Sequence, residues 1–318
     1  MRAVRYHEHG GPEVLRVEET ETPAPGHGEV RVAVEAASVN PVDTYFREGS
    51  YEPPELPMIP GADFAGVVDG VGPGVSRFAE GDRVFGTNLG NDRQGTYAEA
   101  VVAPTDRVAH LPDGVAFAEG AAVALVGATA WQALVAHADL APAETTLIHG
   151  GNGGVGHVAV QLADASGARV VTTARPTYHG RLSSLGADTV IDYRDDQLAE
   201  ALSHAGAPDV ILDHRLDEYL SLDAAVAAEG CRIVGIGNTD SAAGFDDVAG
   251  ARARELSLSL MSVFNTPDVA AVLDSIGSLV ARGDVVPEVT DVYDLSAVAD
   301  AQRAVVEESQ FGKVVLEP

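Results

Sequence analysis

A glycine-rich turn near the middle of the chain carries the clearest chemical signal. A short apolar run, Thr145 to Ile148, leads into this turn, and a run with helical spacing follows it. Within the turn, Gly151, Gly153 and Gly156 have the spacing G-x-G-x-x-G. In such strand–turn–helix units the first glycine permits the turn, the second lets backbone approach a phosphate, and the third lets helix and strand pack closely. Because a helix N-terminus also favours anions, this stretch predicts a site for a dinucleotide diphosphate.

The end of the next predicted strand indicates which dinucleotide is bound. NAD enzymes place Asp or Glu there to bind the ribose 2′-OH, whereas Arg favours a 2′-phosphate. Here the strand Val170 to Thr173 is followed by Arg175 and by no acidic residue. In a chain with only 20 basic residues this arginine favours NADPH, with Arg181 as a second candidate contact.

The first third of the chain has the pattern of a β-rich, barrel-like domain. Glu29 to Ala37 alternates apolar and polar residues like a half-buried strand. Phe64 to Val71 and Arg83 to Phe85 are predicted as further strands, with Gly- and Pro-rich turns between them. Since 318 residues exceed one typical domain, a second domain is expected.

The rest of the chain alternates between strand and helix patterns. A helical pattern extends from Phe117 to about Ala138. Strands are then predicted near residues 145–149, 168–173, 189–192, 209–213 and 231–236, and helices near 155–166, 178–186, 195–205 and 218–229. This alternation predicts a parallel, doubly wound sheet. Two more helices are expected at 268–282 and 295–307, and a strand from Lys313 to Leu316 is expected to rejoin the first domain.

The charge composition excludes a nucleic-acid-binding surface. The formal net charge is −28, and the basic residues are 19 Arg and a single Lys, Lys313. Binding to nucleic acid needs a basic patch, which this chain does not offer. Scattered acidic residues favour a surface suited to high salt, as in halophilic proteins, because screening suppresses self-repulsion. A surface for cations or a basic partner is the alternative.

Cysteine content and hydropathy argue against a disulfide-stabilised, multi-cysteine zinc or membrane protein. The only cysteine, Cys231, lies in an apolar stretch predicted as a buried strand. Neither a disulfide within the chain nor a multi-cysteine zinc site can therefore form. The sequence shows no apolar run of about 18 residues, the length that spans a bilayer, and no signal-peptide core. We therefore predict a cytoplasmic protein without a membrane partner.

Motifs spread along the chain resemble those of the medium-chain dehydrogenase/reductase superfamily. They are VNPVDTY at residues 39–45, IPGADFAGVV at 59–68, GDRVF at 81–85, GTYAE at 95–99, HGGNGGVG at 149–156 and GKVV at 312–315. Within the superfamily the chain is most similar to the zinc-free quinone oxidoreductases, the zeta-crystallin-like family. The resemblance implies an α/β fold with a GroES-like β-rich catalytic domain, residues 1–122 completed by 265–318. It also implies a Rossmann domain with a doubly wound parallel sheet at residues 123–264.

The sequence departs from the zinc-dependent branch of this superfamily. Zinc enzymes carry Cys in the first motif and Gly-His-Glu in the second, where Asn40 and Gly61-Ala62-Asp63 stand here. The cysteines of the structural zinc lobe are also missing from residues 86–99. Because a catalytic zinc needs about three protein ligands, Asp63 alone cannot hold one. The resemblance therefore predicts a metal-free enzyme.

Family similarity assigns a set of cofactor contacts. The set comprises Asn40, Asp43, Thr44, Thr129, Gly151, Asn152, Gly153, Gly154, Val155, Gly156, Arg175, Tyr193, Gly235, Gly237, Phe264 and Lys313. Asn40, Asp43 and Thr44 are expected on the nicotinamide side, and Tyr193 on the adenosine side. The glycine turn and Arg175 belong to this set on their own chemistry as well.

A site without metal has no Lewis acid to polarise a carbonyl, which limits the substrate. Hydride transfer is then expected to an already electrophilic system, such as a quinone or an α,β-unsaturated ketone. Tyr45 and Asn40 are the candidate catalytic residues. The Tyr45 hydroxyl would donate a proton to the developing enolate or hydroquinone oxygen. The alternative role for Tyr45 is a pocket wall without proton transfer, and Tyr51 is a weaker candidate donor.

Two other functions and a quaternary structure remain open at this level. An enoyl-thioester reductase would need a basic groove for a carrier phosphate, which this acidic chain does not show. A non-catalytic, crystallin-like NADPH-binding protein would not need the Asn40 motif. The family resemblance implies a homodimer, with a tetramer as the alternative, formed through Rossmann edge strands. The alternating residues 255–261 could pair across a two-fold axis or form an internal edge strand.

Overall fold

The computed structural model describes residues 1–318, and its regular elements are as follows. The strands are β1 (Arg2–Arg5), β2 (Arg16–Glu19), β3 (Glu29–Val39), β4 (Asp63–Val71), β5 (Arg83–Gly86), β6 (Ala100–Pro104), β7 (Val108–His110), β8 (Thr145–Ile148), β9 (Arg169–Thr173), β10 (Thr189–Ile191), β11 (Val210–Asp213), β12 (Arg232–Gly235), β13 (Ser257–Leu260), β14 (Val289–Asp294) and β15 (Lys313–Glu317). The α-helices are α1 (Pro41–Glu48), α2 (Phe117–Trp131), α3 (Gly154–Ala165), α4 (His179–Ser184), α5 (Leu198–Ala205), α6 (Leu216–Val226), α7 (Val248–Ala253), α8 (Val269–Arg282) and α9 (Val298–Glu307).

The chain divides into two units. The first comprises Met1–Ala128, Pro267–Gly283 and Pro287–Pro318, and the second comprises Thr129–Thr266 and Asp284–Val286. The sequence placed the division after residues 122 and 264. The boundary within α2 is invisible to sequence patterns, because a continuous helix shows no change of period where it passes from one unit to the next.

The second unit contains a six-stranded parallel sheet in the order β10-β9-β8-β11-β12-β13. Its central strands are short buried runs; in β11, for example, Val210 and Ile211 have no exposed surface. Such fully apolar strands are typical of parallel sheets covered on both faces. Because β8 pairs with β9 on one side and β11 on the other, the strand order reverses at β8. Open α/β sheets bind ligands at the carboxyl ends of the strands beside such a reversal, where the glycine turn follows β8.

The first unit is built mainly on antiparallel strands. Its larger sheet has the order β14-β15-β3-β4-β5-β7, and β6 pairs with β3. Along β3 the apolar residues Val30, Val32 and Val34 are buried, as their alternation predicted. The C-terminal strand β15 returns to this sheet and aligns Val315 with Ser38 of β3. This return brings Lys313 beside the start of α1.

The predicted helix after Phe117 forms α2 and continues as a π-helix, Gln132–His137. Together they make one helix of 21 residues that by length and composition alone could cross a membrane, contrary to the expectation that no apolar run reaches about 18 residues. Of its most apolar window, 78% is buried inside the structure. That burial is characteristic of a core helix, because core helices are also apolar all round.

Candidate functional site

The three glycines of the predicted motif meet different surroundings. A Cβ atom at Gly151 would lie 2.2 Å from Thr172 Oγ1, and one at Gly156 would lie 2.1 Å from the carbonyl oxygen of Gly150. A Cβ atom at Gly153 would approach only that same carbonyl oxygen, at 3.3 Å. Gly151 and Gly156 are thus required for close packing, whereas the outer side of Gly153 is open. These surroundings match the roles expected of the three glycines in a diphosphate-binding turn.

Alanine at two of these glycines is expected to separate folding from binding. Gly156→Ala should destabilise the protein by about 2 kcal/mol or more, because the added methyl overlaps backbone. Gly153→Ala should fold normally, since Gly153 has an ordinary φ of −73°, and should weaken dinucleotide binding by about tenfold or more. Urea unfolding and titration of NADPH fluorescence measure the two effects. Equal losses of stability in both variants would contradict this assignment.

The turn leads directly into α3, whose N-cap is Gly153. The first backbone N–H groups of a helix have no intrahelical acceptor and carry the positive end of the helix dipole. The first N–H donated back within the helix is that of His157, to Gly153 O at 3.0 Å. The N–H groups of residues 154–156 therefore point out of the N-terminus, where an anionic diphosphate fits.

Arg175 and Tyr193 are brought together at the same edge of the sheet. Arg175 follows β9 and Tyr193 follows β10, and parallel strands end on one edge. Arg175 Nε donates a hydrogen bond to the Tyr193 hydroxyl at 2.9 Å. This bond uses one of the five guanidinium N–H groups and holds an exposed arginine at a defined place.

The other predicted contacts of the second unit follow β12 and β13 or lie in α2. Gly235 ends β12, Gly237 lies two residues later, and Phe264 lies in a 3₁₀-helix after β13. A Cβ atom at Gly235 would lie 2.3 Å from Leu216 Cδ1, so any larger residue would require the Leu216 side chain to move. Thr129 is 6% exposed. The cofactor roles of these four residues stay predictions.

A buried polar cluster beside the turn was missed by the sequence analysis. His149 Nε2 lies 2.8 Å from Asp223 Oδ1, and neither side chain has any exposed area. The His149 ring stacks on Tyr219 at 4.4 Å between centroids, with an interplanar angle of 7°. Burial, and then the Asp223 carboxylate, raise the pKa of Asp213 to about 7. The only signal for His149 in the sequence was its place at the start of the glycine motif.

His214 is a second residue that the sequence analysis missed. It follows β11, and a Cβ atom at Gly150 would lie 2.7 Å from its Cε1 atom. The side chain is exposed on one side, while burial of the rest, with His149 and Arg215, lowers the pKa of His214 to about 4. The ring is therefore neutral near pH 7. Its position after the predicted strand 209–213 was the available signal.

In the first unit, Asn40 is held inside a buried hydrogen-bond network. Its Nδ2 donates to Asp63 Oδ2 at 2.8 Å, and its Oδ1 accepts from Lys313 Nζ at 2.5 Å. Lys313 Nζ also donates to Val39 O at 2.8 Å. Asn40 is 2% exposed and Lys313 4%. The predicted direct contacts of Asn40 and Lys313 with a cofactor stay predictions, and the geometry supports a structural role for both side chains.

Asp43 completes this network. Its Oδ2 accepts the backbone N–H of Asn40 at 2.8 Å and the hydroxyl of Tyr97 at 2.6 Å. Burial raises the pKa of Asp43 to about 7, opposed by the Tyr97 hydrogen bond. Burial also raises the pKa of Asp63 and lowers that of Lys313. Two acids and one amine therefore share a site in which ionisation is costly.

The raised pKa of Asp43 predicts a pH dependence of stability. Its unfolded pKa is close to 3.8 and its folded pKa is about 7, so the folded chain binds the proton more tightly. The stability that this group contributes is fully present below about pH 4 and is lost as pH rises to about 7. The free energy of unfolding, measured with urea, should fall more steeply between pH 5 and 7.5 in the wild type than in Asp43→Asn. Parallel profiles would contradict the shift.

Helix α1 presents the candidate catalytic residue. Thr44 is 2% exposed, and its hydroxyl donates to Pro41 O at 2.7 Å. Tyr45, in contrast, is 39% exposed. Its ring meets Tyr51 edge-on at 5.8 Å. Burial of part of the ring, followed by Tyr51 and Glu48, raises the pKa of Tyr45. The hydroxyl is protonated at neutral pH, as in any tyrosine, and the raised pKa makes it a weaker acid. A cofactor contact by Thr44 stays a prediction.

The ionisable side chains include no group of three or more His, Cys, Asp or Glu that could hold a metal ion. Cys231 is fully buried, and burial raises the pKa of its thiol to about 12. The thiol is thus protonated and inaccessible, as expected of a core residue rather than a nucleophile or ligand.

Comparison with known proteins gives matches over the whole chain. Residues 26–113 match the alcohol dehydrogenase GroES-like domain, and residues 185–316 match the zinc-binding dehydrogenase family. Quinone oxidoreductase from Homo sapiens is 34% identical over 99% of this chain and 97% of its own. A solved NAD-dependent alcohol dehydrogenase has a TM-score of 0.91 at 34% identity, with both chains fully covered. Quinone oxidoreductase from Escherichia coli, complexed with NADPH, has a TM-score of 0.90 at 28% identity, again over both chains.

These matches agree with the two units and with the parallel sheet described above. The end-to-end identity to quinone oxidoreductases covers both the antiparallel unit and the glycine-turn unit. The α/β fold predicted from the sequence, GroES-like and Rossmann in its two parts, is confirmed. The chain is an oxidoreductase and belongs to the quinone oxidoreductase family of the medium-chain dehydrogenase/reductase superfamily.

Proposed function

We propose that this protein is an NADPH-dependent, metal-free reductase of quinones and α,β-unsaturated carbonyl compounds. The observation that carries the proposal is the arrangement at one sheet edge, where the open side of Gly153 and the Arg175–Tyr193 pair follow neighbouring strands. A diphosphate on the turn and a 2′-phosphate near Arg175 are the two anionic parts of NADPH. Few small molecules other than NADP(H) carry both.

The residues fit a dinucleotide on structural grounds. The three helix N–H groups at residues 154–156 and the open side of Gly153 would hold the diphosphate. Arg175 would pair with the 2′-phosphate, and Tyr193 would stay close to the adenosine. Bound there, the nicotinamide supplies the hydride. The residues between β9 and α4 include no Asp or Glu that would repel the 2′-phosphate.

The preference for NADPH over NADH needs its own test. The E. coli neighbour was solved with NADPH, whereas another similar structure is described as NAD-dependent. The argument for NADPH in this chain is local: an exposed guanidinium, oriented by Tyr193, stands where an acid would select NADH. An acid at this place would repel the 2′-phosphate.

Metal independence is proposed from the side chains at the matching positions. Asn40 and Ala62 cannot replace thiolate and imidazole ligands, and Asp63 is already bonded to Asn40. Without a Lewis acid, the proton that balances hydride transfer must come from a protein hydroxyl or from water. We propose Tyr45 as the donor because it is 39% exposed and ends the motif whose other residues are expected on the nicotinamide side.

A substrate screen tests the proposed function. NADPH and NADH oxidation is followed at 340 nm with quinones, enals, enones and a crotonyl thioester, each with and without chelator. Turnover of quinones or enones with NADPH is expected, and turnover of the thioester alone would support an enoyl-thioester reductase instead. NADPH binding without any turnover would favour the crystallin-like, non-catalytic alternative. Because the net charge is −28, the assays should cover a wide range of KCl, and a halophilic protein would be most stable at the high end.

We also propose that the protein is cytoplasmic and forms a homodimer. The exposed edge of β13 would form the interface. This strand pairs only with β12, and its residues Leu258 and Leu260 are 40% and 70% exposed. An exposed apolar edge strand is a common site of pairing between copies. Light scattering at several concentrations, with Leu260→Lys as the interface variant, tests the assembly.

A further inference from the structure

The carbonyl group of Gly150, at the start of the glycine turn, lies against two later glycines of the turn. Gly150 has a φ of +69°, in the left-handed region that glycine adopts readily. Its carbonyl oxygen accepts the N–H of Gly153 at 2.9 Å. The same oxygen lies where a Cβ atom on Gly156 would be only 2.1 Å away. The orientation of the Gly150 peptide therefore sets the position of the first turn of α3.

Thr173, the last residue of β9, accepts one hydrogen bond from each of the two peptide groups that flank Gly150. Its Oγ1 accepts the N–H of Gly150 at 3.0 Å, and its carbonyl oxygen accepts the N–H of Gly151 at 2.9 Å. Thr173 is 1% exposed, so water does not compete for its hydroxyl. Since Oγ1 uses a lone pair for Gly150, the hydroxyl proton needs an acceptor of its own. His149 Nδ1 lies 3.5 Å from Oγ1, at the long limit of a hydrogen bond.

Asp223 enables His149 Nδ1 to accept the hydroxyl proton of Thr173. A carboxylate 2.8 Å from Nε2 favours the tautomer that carries its proton on Nε2, which leaves a lone pair on Nδ1. Stacking on Tyr219, at 4.4 Å between centroids, holds the plane of the imidazole. The donors then follow one direction, from Gly150 N–H to Thr173, from Thr173 to His149, and from His149 to Asp223.

We propose that His149 is a positioning residue for dinucleotide binding: together with Asp223 it sets the direction of the Thr173 hydroxyl, which holds the backbone N–H of Gly150 at the start of the turn. The proposal rests on the proposed function, because it places a diphosphate on the glycine turn. The His149 side chain has no exposed area and acts only through Thr173. Since the diphosphate is common to NADPH and NADH, both dinucleotides should respond alike.

Thr173 offers an isosteric test with a rescue. Thr173→Val removes Oγ1 at nearly constant volume and should weaken the binding of NADPH and NADH by about tenfold each, as expected for one buried hydrogen bond. Thr173→Ser keeps the hydroxyl and should restore both dissociation constants to within about twofold. Ser203→Ala, which removes an exposed hydroxyl of α5, is the matched control. Thermal unfolding of each variant shows whether it is folded.

A double-mutant cycle and a spectroscopic measurement test His149 directly. His149→Gln should weaken both dinucleotides, and combining it with Thr173→Val should add little, because both changes break the same series of bonds. ¹⁵N shifts of the imidazole in the cofactor-free protein, assigned by difference from His149→Gln, should show a protonated Nε2 and an unprotonated Nδ1. A protonated Nδ1, additive losses, or unaltered affinity in Thr173→Val would overturn this proposal and leave the proposed function intact. Absence of dinucleotide binding by the unaltered protein would overturn both.

Discussion

Replacing Tyr45 with phenylalanine is expected to lower kcat by about 100-fold or more while leaving the dissociation constant of NADPH nearly unchanged. The size of the effect is that of removing a positioned general acid. The change removes only the hydroxyl of Tyr45, and the ring still packs edge-on against Tyr51. Steady-state kinetics with a quinone and a separate NADPH titration measure the two quantities.

Tyr51→Phe is the matched comparison for this prediction. Tyr51 is 50% exposed, belongs to the same aromatic cluster, and also contacts Phe46 at 5.4 Å between ring centroids. If Tyr45 donates the proton, the loss of kcat should be much larger for Tyr45→Phe than for Tyr51→Phe. An unchanged kcat in Tyr45→Phe would instead make Tyr45 a pocket wall, and a solvent-derived proton would then complete the reaction.

Replacing Arg175 with glutamine is expected to reduce kcat/KM for NADPH by about 30-fold and to change that for NADH by less than about threefold. A 30-fold loss corresponds to about 2 kcal/mol, the range of a charge-assisted hydrogen bond to a phosphate. The guanidinium is exposed, so the effect should be largest at low KCl and should shrink as salt screens the charge. Kinetics with both cofactors at several KCl concentrations provide the measurement.

Arg194→Gln is the control for the loss of positive charge at this edge. Arg194 is exposed, lies next to Tyr193 in the chain, and pairs with Asp192 at 3.0 Å. A general effect of charge would appear in both variants, whereas a 2′-phosphate contact would appear only in Arg175→Gln. Equal losses for NADPH and NADH in Arg175→Gln would exclude that contact and would leave cofactor preference without a local explanation.

The second unit could be predicted from the sequence almost element by element. The strands expected near 145–149 and 168–173 are β8 and β9, and the helix expected at 155–166 is α3. These elements are specified by local patterns, namely buried apolar runs, glycine turns and helical spacing. The same reasoning missed α1, although Pro41 at its first position and Asp43 at its third are ordinary signals of a helix start. The motif there had been interpreted only as chemistry.

The hydrogen-bond partners of Lys313 could not be predicted from the sequence. Its motif predicted a cofactor contact, yet the side chain is 4% exposed and donates to Val39 O and Asn40 Oδ1. No pattern of neighbouring residues indicates this, because Lys313 and Asn40 are 273 positions apart in the chain. The return of β15 to β3 brings them together.

The sequence by itself determined the family, the two fold types and the glycine turn, because each depends on residues close together in the chain. Only the tertiary structure decided which polar side chains are buried together. His149 and Asp223 are separated by 74 positions. They meet because His149 follows β8, Asp223 lies in α6 after β11, and β8 and β11 are neighbours in the sheet. A buried polar group without a partner is costly, so these distant residues must be satisfied by one another. That requirement operates in space, which a linear pattern does not record.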